Sequence, residues 1–215
     1  AKDSEADAGE LPQHKLSLAE YWIGKTEVTV TQFAVYLKAT AATTSAGYQL
    51  NSTDNPVVDV TWDECITFCQ WASGLVDGEI LLPSEAEWEK AARGTDGRKF
   101  PWGNEPPDAM RCNFSNNERR ITPVGKYGSK GNSPYGCDDM AGNVFEWTRS
   151  FPGPYPYEPA DGRETLAPRD YRTYRGGSFN GSAKFARCAN RTAGNPKGHS
   201  NSIGFRITLR PSTLG

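Results

Sequence analysis

Covalent chemistry in this chain would have to come from five cysteines, two histidines and the serine that follows a Gly-Gly turn. Cys65, Cys69, Cys112, Cys137 and Cys188 form no CxxC pair and no regular spacing of the kind that marks a disulfide framework or a zinc site. Buried free thiols are the expectation, with Cys65 and Cys69 facing the core from one side of a helix as small apolar groups. Ser178 closes "RGGS", yet His14 and His199 are the only imidazoles, so a Ser-His-acid relay has little material. We read Ser178 as a polar tie for the Gly176-Gly177 turn, His199 as a loop side chain facing solvent or ligand, and His14 as a group at the edge of the first strand.

The elements that must position these residues announce themselves unevenly. Three helices carry the same entry signal, a hydroxyl N-cap with Glu or Gln three residues on: Thr29 with Gln32, Thr61 with Glu64, and Ser84 with Glu87. Their apolar faces are Phe33, Tyr36 and Leu37, then Cys65, Phe68, Cys69 and Ala72, then Trp88, Ala91 and Ala92, and Gly94 is placed to end the third. Beyond Gly94 the chain breaks into short apolar pieces, "FPWG", "TPVGKY", "VFEWTRS", "RTYRGGSF", "FARCANR" and "IGFRITL", separated by Gly, Pro, Asn and Ser. These predict short strands joined by long loops, with Pro152 to Pro168 as a surface excursion. No repeat or linker divides the 215 residues, so a single domain over 1–215 is expected.

Composition excludes several function classes. With 24 Lys and Arg against 26 Asp and Glu, the net charge of -2 supplies no basic field for nucleic acid or an anionic membrane. No run approaches the roughly 18 apolar residues of a membrane span, and the first fifteen residues lack the apolar core of a signal peptide. The hydrophobic fraction of 36%, beside 22 Gly and 15 Pro, points to a loop-rich fold with aromatic anchors.

The segments "ELPQHKLSLAEYWIGKTEVTVTQFAVYL", "NPVVDVTWDECITFCQWA", "LLPSEAEWEKAARG", "PYGCDDMAGNVFEWTRS", "YRGGSF" and "SIGFRI" occur in an order that closely resembles the formylglycine-generating enzyme (sulfatase-modifying factor) family. The resemblance implies an α+β, C-type-lectin-like fold with little regular secondary structure and long ordered loops. It also implies that the domain is the C-terminal part of a longer chain. Trp62, Trp71, Trp88, Trp102 and Trp147 fall in framework segments and are read as core or loop anchors.

The family oxidase holds Cu(I) between two cysteines in the loop after "GGS", where soft thiolates are required. Here that loop is Phe179, Asn180, Gly181, Ser182, Ala183 and Lys184, without a cysteine, so no copper and no oxidase activity are expected. Cys188 and Cys69 resemble family disulfide cysteines whose partner positions fall near Ala92 and at Ile207, which leaves both as thiols. The family's calcium positions map to Asp139, Gly142, Val144 and Glu146, two side chains and two carbonyls that would suit Ca2+ as a cofactor. The competing reading pairs Glu146 with an arginine such as Arg149 or Arg187. A second family calcium site begins at Asn113 and Phe114 but lacks the loop that completes it.

The stretch from Ser178 to Ile207 alternates framework residues with small polar ones, and resembles the variable region of diversity-generating retroelement proteins built on this same scaffold. That resemblance implies a non-catalytic display protein, soluble or carried on a virion or cell surface, that binds a protein or other surface ligand. Its expected contact residues are Tyr171, Thr173, Asn180, Ser182, Lys184, Phe185, Asn190, Thr192, Asn195, His199 and Asn201. The alternatives are an accessory or sensor domain of the kind appended to kinases, and an enzyme with altered chemistry in the same pocket.

Overall fold

The three capping boxes all form. In the computed structural model, which describes residues 4–44 and 54–212, each N-cap hydroxyl accepts from the backbone N–H three residues on, and that residue's side chain returns the bond. They open α1 (Val30–Thr40), α2 (Trp62–Ser73) and α3 (Glu85–Arg93). Each box satisfies N–H groups that a helix start otherwise leaves open. Gly94, at φ 67°, ends α3 as expected.

The strands are shorter than the apolar pieces suggested. β1 (Trp22–Ile23), β7 (Thr208–Pro211) and β2 (Gly78–Leu81) form one antiparallel sheet in that order. A second sheet runs β5 (Thr192–Gly194), β4 (Arg172–Arg175), β3 (Phe145–Trp147), β6 (Ile203–Phe205), with only the β3 and β6 pair parallel. "FPWG" is a tight turn closed by Phe100 and Gly103, "TPVGKY" is a series of turns, and "FARCANR" begins in a short 3-10 turn, Ala183–Ala186. None of the three is a strand: "FPWG" closes on its own backbone, while Asn143 and Asp139 hold the second piece and Arg175 the third through their side chains.

The main core lies between α1, α2 and the strands. Phe33 stacks on Phe68 at 5.7 Å, and Phe205 packs edge-on against both. Trp62, Trp88 and Trp147 are buried anchors as read from the sequence, while Trp71 and Trp102 are half-buried.

Buried arginines do for the loops what ladders do for sheets. Arg206 donates to the carbonyls of Gly24, Lys25 and Asp138; Arg172 to those of Arg149, Thr165 and Ala167; Arg175 to those of Ala189 and Asn190. A guanidinium offers five donors in a rigid fork, so one side chain fixes several carbonyls. Most of the charge is met inside the protein: Arg206 by Glu146, Arg175 by Glu89, Arg187 by Glu10 and Arg149 by Glu87. Burial alone would raise the Glu87 pKa, but the bonds from Arg149 prevail and hold it at about 2.

Candidate functional site

β4 is followed by two glycines at positions that would not tolerate an ordinary residue. Gly176 and Gly177 have φ of 95° and 79°, and a Cβ on Gly177 would stand 3.0 Å from the Phe185 carbonyl. The loop that follows is tied down on both sides. Phe179 N–H donates to the Asn143 carbonyl at 2.8 Å, and the Phe179 and Gly181 carbonyls accept from Asn116 and Ser115 at 2.7 and 2.8 Å. Ser178 is buried and its hydroxyl donates to Asn180 Oδ1 at 2.8 Å, which makes it the structural tie expected and gives it an amide, not an imidazole, as partner.

All five cysteines are buried and free, and burial pushes Cys188 and Cys112 up to about 12. The resemblance's missing disulfide halves are nonetheless close by: Cys188 shares a cluster with Ala92, and Cys69 one with Ile207.

Ten of the eleven expected contact residues separate into three groups, and Thr192 lies apart from them on β5. Asn180, Ser182 and Lys184 are exposed around the loop, Lys184 paired with Asp7 at 2.7 Å, and half-buried Phe185 packs edge-on against Phe145. Tyr171 is exposed just before β4, and Asn195, His199 and Asn201 are exposed near the start of α2, where the Pro196 carbonyl accepts from Trp62 and His199 lies 3.7 Å from Asp59. Thr173 and Asn190 correct the expectation, since both are buried. Thr173 lies in a strand paired on both sides, and Asn190 is turned inward beneath the Arg187 and Glu10 pair.

Thr173 and half-buried Thr192 line a cleft of about 320 Å³, whose other walls are Gly9, Pro152, Gly153, Pro154, Arg191 and Ala193. The proline wall is part of the expected surface excursion, and it is pinned. Arg191 donates to the Gly153 carbonyl at 3.0 Å and Arg163 to that of Pro154 at 2.9 Å. His14 serves this wall and not the first strand. Its Nε2 accepts from Tyr157 N–H at 2.9 Å, which leaves the ring proton on Nδ1 for the Pro12 carbonyl at 3.0 Å. Nothing in the sequence signalled the prolines, Gly9 or Arg191 as neighbours of Thr173; only the folded chain brings them together.

Asp139, Gly142 and Val144 lie in the turn leading to β3. Glu146 is bound through both oxygens by Arg206 at 2.6 Å and receives Trp88 Nε1 at 2.6 Å, so its partner is neither Arg149 nor Arg187. Burial raises Asp139 to about 6 against the Gly125 N–H bond and Arg206, with Asp138 and Glu146 adding to the rise. Burial likewise raises Glu27, whose Oε2 has no partner among the described residues. The cluster therefore crowds carboxyls whose ionised forms burial disfavours, and no three acidic, His or Cys side chains converge as a metal site among the described residues.

Residues 1–211 match the family model described as Sulfatase-modifying factor enzyme 1-like domain. The formylglycine-generating enzyme of Bos taurus is 31% identical over 176 residues, 73% of this chain and 44% of that protein. The chain thus spans less than half the length of that relative. Among solved structures, PvdO from Pseudomonas aeruginosa superposes with a TM-score of 0.83 at 26% identity, over 96% of this chain and 87% of that one. Treponema denticola variable protein 1 has the same fold, with a TM-score of 0.76 at 24% identity, over 95% of this chain and 90% of that one. The fold is thus the C-type-lectin-like one expected, and with a match that runs from the first residue to Pro211 the chain belongs to the family of Sulfatase-modifying factor enzyme 1-like domains.

Proposed function

We propose that this chain is a ligand-binding display module, built on the family scaffold and akin to the variable proteins of diversity-generating retroelements. Its binding face is the C-terminal stretch from Tyr171 to Asn201. One observation carries the reading: framework residues Arg175, Gly176, Gly177, Arg187 and Arg206 are buried, while Asn180, Ser182, Asn195, His199 and Asn201 between them are exposed. Such a division lets exposed positions change without cost to the fold, as surface substitutions usually stay within about 0.5 kcal/mol. The partner is a protein or other surface ligand. The test is the DNA flanking the gene. A near-identical copy of the Arg175 to Arg206 coding segment, differing only at template adenines, is the expected finding, and copper-dependent turnover of a cysteine peptide by this chain overturns the reading.

Calcium belongs to the same proposal, held by Asp139 and the carbonyls of Gly142 and Val144 while Arg206 keeps Glu146. The crowding of the Glu27 and Asp139 carboxyls, both raised by burial and by neighbouring acids, supports it, because a cation there would favour their ionised forms. Saturating CaCl2 is expected to raise the melting temperature by roughly 5–10 °C at a hundredfold excess over Kd, reversed by EGTA. No shift removes the ion from the proposal.

A further inference from the structure

An acidic segment of this chain already lies across part of the proposed binding face. Ser4 to Gly9 runs beside the stretch from Lys184 to Arg191. Asp7 pairs with Lys184 at 2.7 Å, Glu10 holds Arg187 through both oxygens, and the Gly9 carbonyl accepts from Arg191 Nη1 at 2.6 Å. Upstream, Glu5 pairs at 2.5 Å with Lys99, whose carbonyl accepts from Cys188 N–H in the same stretch. The segment sets its carboxylates on the cations of the face, as the side chains of a bound peptide would.

Its two ends are held with unequal strength. Glu10 and Arg187 are both buried, and breaking such a pair strands a charge away from water. Glu5 and Asp7 keep 52% and 53% of their side-chain surface exposed, and ion pairs of that kind add little to stability. Packing adds little more, since Ser4 to Gly9 includes no buried residue and its small or charged side chains offer few apolar carbons. A Cβ on Gly9 would meet nothing within 4 Å, so the backbone has room to turn just upstream of the Glu10 anchor.

Movement of the segment uncovers positive charge. Lys184 projects from the Ala183–Ala186 turn and is 44% exposed even with Asp7 on it. Its neighbours Arg187 and Arg191 stay neutralised by Glu10 and Glu85, which lie outside the part that moves. A partner that brings carboxylates to this point meets complementary charge, whereas one that brings lysines or arginines meets repulsion.

Resting on the binding-face reading, we propose that Glu5 to Asp7 form a displaceable strap and that the partner presents an acidic peptide segment. Its carboxylates take the places of Asp7 on Lys184 and of Glu5 on Lys99, while the Glu10 and Arg187 pair stays closed as the hinge.

The experiment titrates labelled hexaglutamate and hexalysine against the chain by fluorescence anisotropy at low salt. Hexaglutamate is expected to bind and hexalysine not. Glu5→Gln combined with Asp7→Asn is expected to tighten hexaglutamate about three- to tenfold, and Lys184→Gln to weaken it by a similar factor. Raising NaCl to about 0.5 M should remove both differences. All three positions are exposed, so the variants are expected to fold normally. A second readout separates displacement from a mere change of charge. The Glu10 amide, which donates to the Asp7 carbonyl at 2.9 Å, should exchange faster when hexaglutamate saturates the wild-type chain. Unaltered exchange, or equal affinity of the wild-type and doubly substituted chains, overturns the strap. Preference for hexalysine, or no binding of hexaglutamate to either chain, overturns the acidic partner. Each of these results leaves the binding face standing, because failure of that face is read separately from the flanking DNA.

Discussion

Arg206→Met is expected to destabilise the fold by about 3–5 kcal/mol, the range found when one member of a buried ion pair is removed. Arg206 and Glu146 are both wholly buried, and the guanidinium also holds the Gly24, Lys25 and Asp138 carbonyls. Without it, Glu146 keeps only the Trp88 bond while Glu27, Asp138 and Asp139 remain nearby. The stranded charge, more than the lost attraction, sets the size of the effect. Adding Glu146→Gln should therefore recover part of the loss, because an uncharged amide is cheaper to bury. Urea unfolding of the single and double variants measures both quantities. A loss below about 1 kcal/mol for Arg206→Met would show that the pair is not the staple described.

The same pair marks where sequence reading stops. The helices were legible because a capping box is local, three residues from hydroxyl to acid, as Ser84 and Glu87 illustrate. The Glu146 and Arg206 pair spans 60 positions, and any of several arginines would have satisfied a reader; Arg149 and Arg187 turn out to serve Glu87 and Glu10. The strands were hard to read for a related reason. Segments of two to four residues carry too little alternation to declare a period, and much of the chain between them is fixed by side chains from distant segments. In the candidate site, the exposed turn residues Asn180 and Ser182 follow from local chemistry, since Gly and Ser around a Gly-Gly turn read as loop. Thr173 does not, because its burial depends on β3 and β5 pairing on either side of β4.

Gly142→Ala is expected to cost more than 3 kcal/mol, and a second glycine shows why. Gly142 has φ 79°, a region where a side chain costs roughly 1–2 kcal/mol by itself. Gly128, at φ 50°, carries the same kind of penalty, but a Cβ there meets nothing within 4 Å. At Gly142 the Cβ would stand 2.1 Å from the Asn113 carbonyl oxygen, a contact with backbone that no rotamer relieves. Relief requires Asn113 to move, and Asn113 accepts from Asn143 N–H at 2.8 Å. Asn143 is a buried hub: it receives Thr122 N–H at 2.9 Å, donates to Glu27 at 3.2 Å, and through its carbonyl holds Phe179. Gly142 N–H in turn holds the Gly176 carbonyl at 2.7 Å, directly under the Gly-Gly turn. The damage should therefore reach the binding face. Thermal melts should separate Gly142→Ala from Gly128→Ala by at least about 5 °C, and amide exchange at Phe179 and Gly181 should quicken only in the former. Equal costs for the two would mean that backbone conformation alone matters and that the close approach of Asn113 carries no weight.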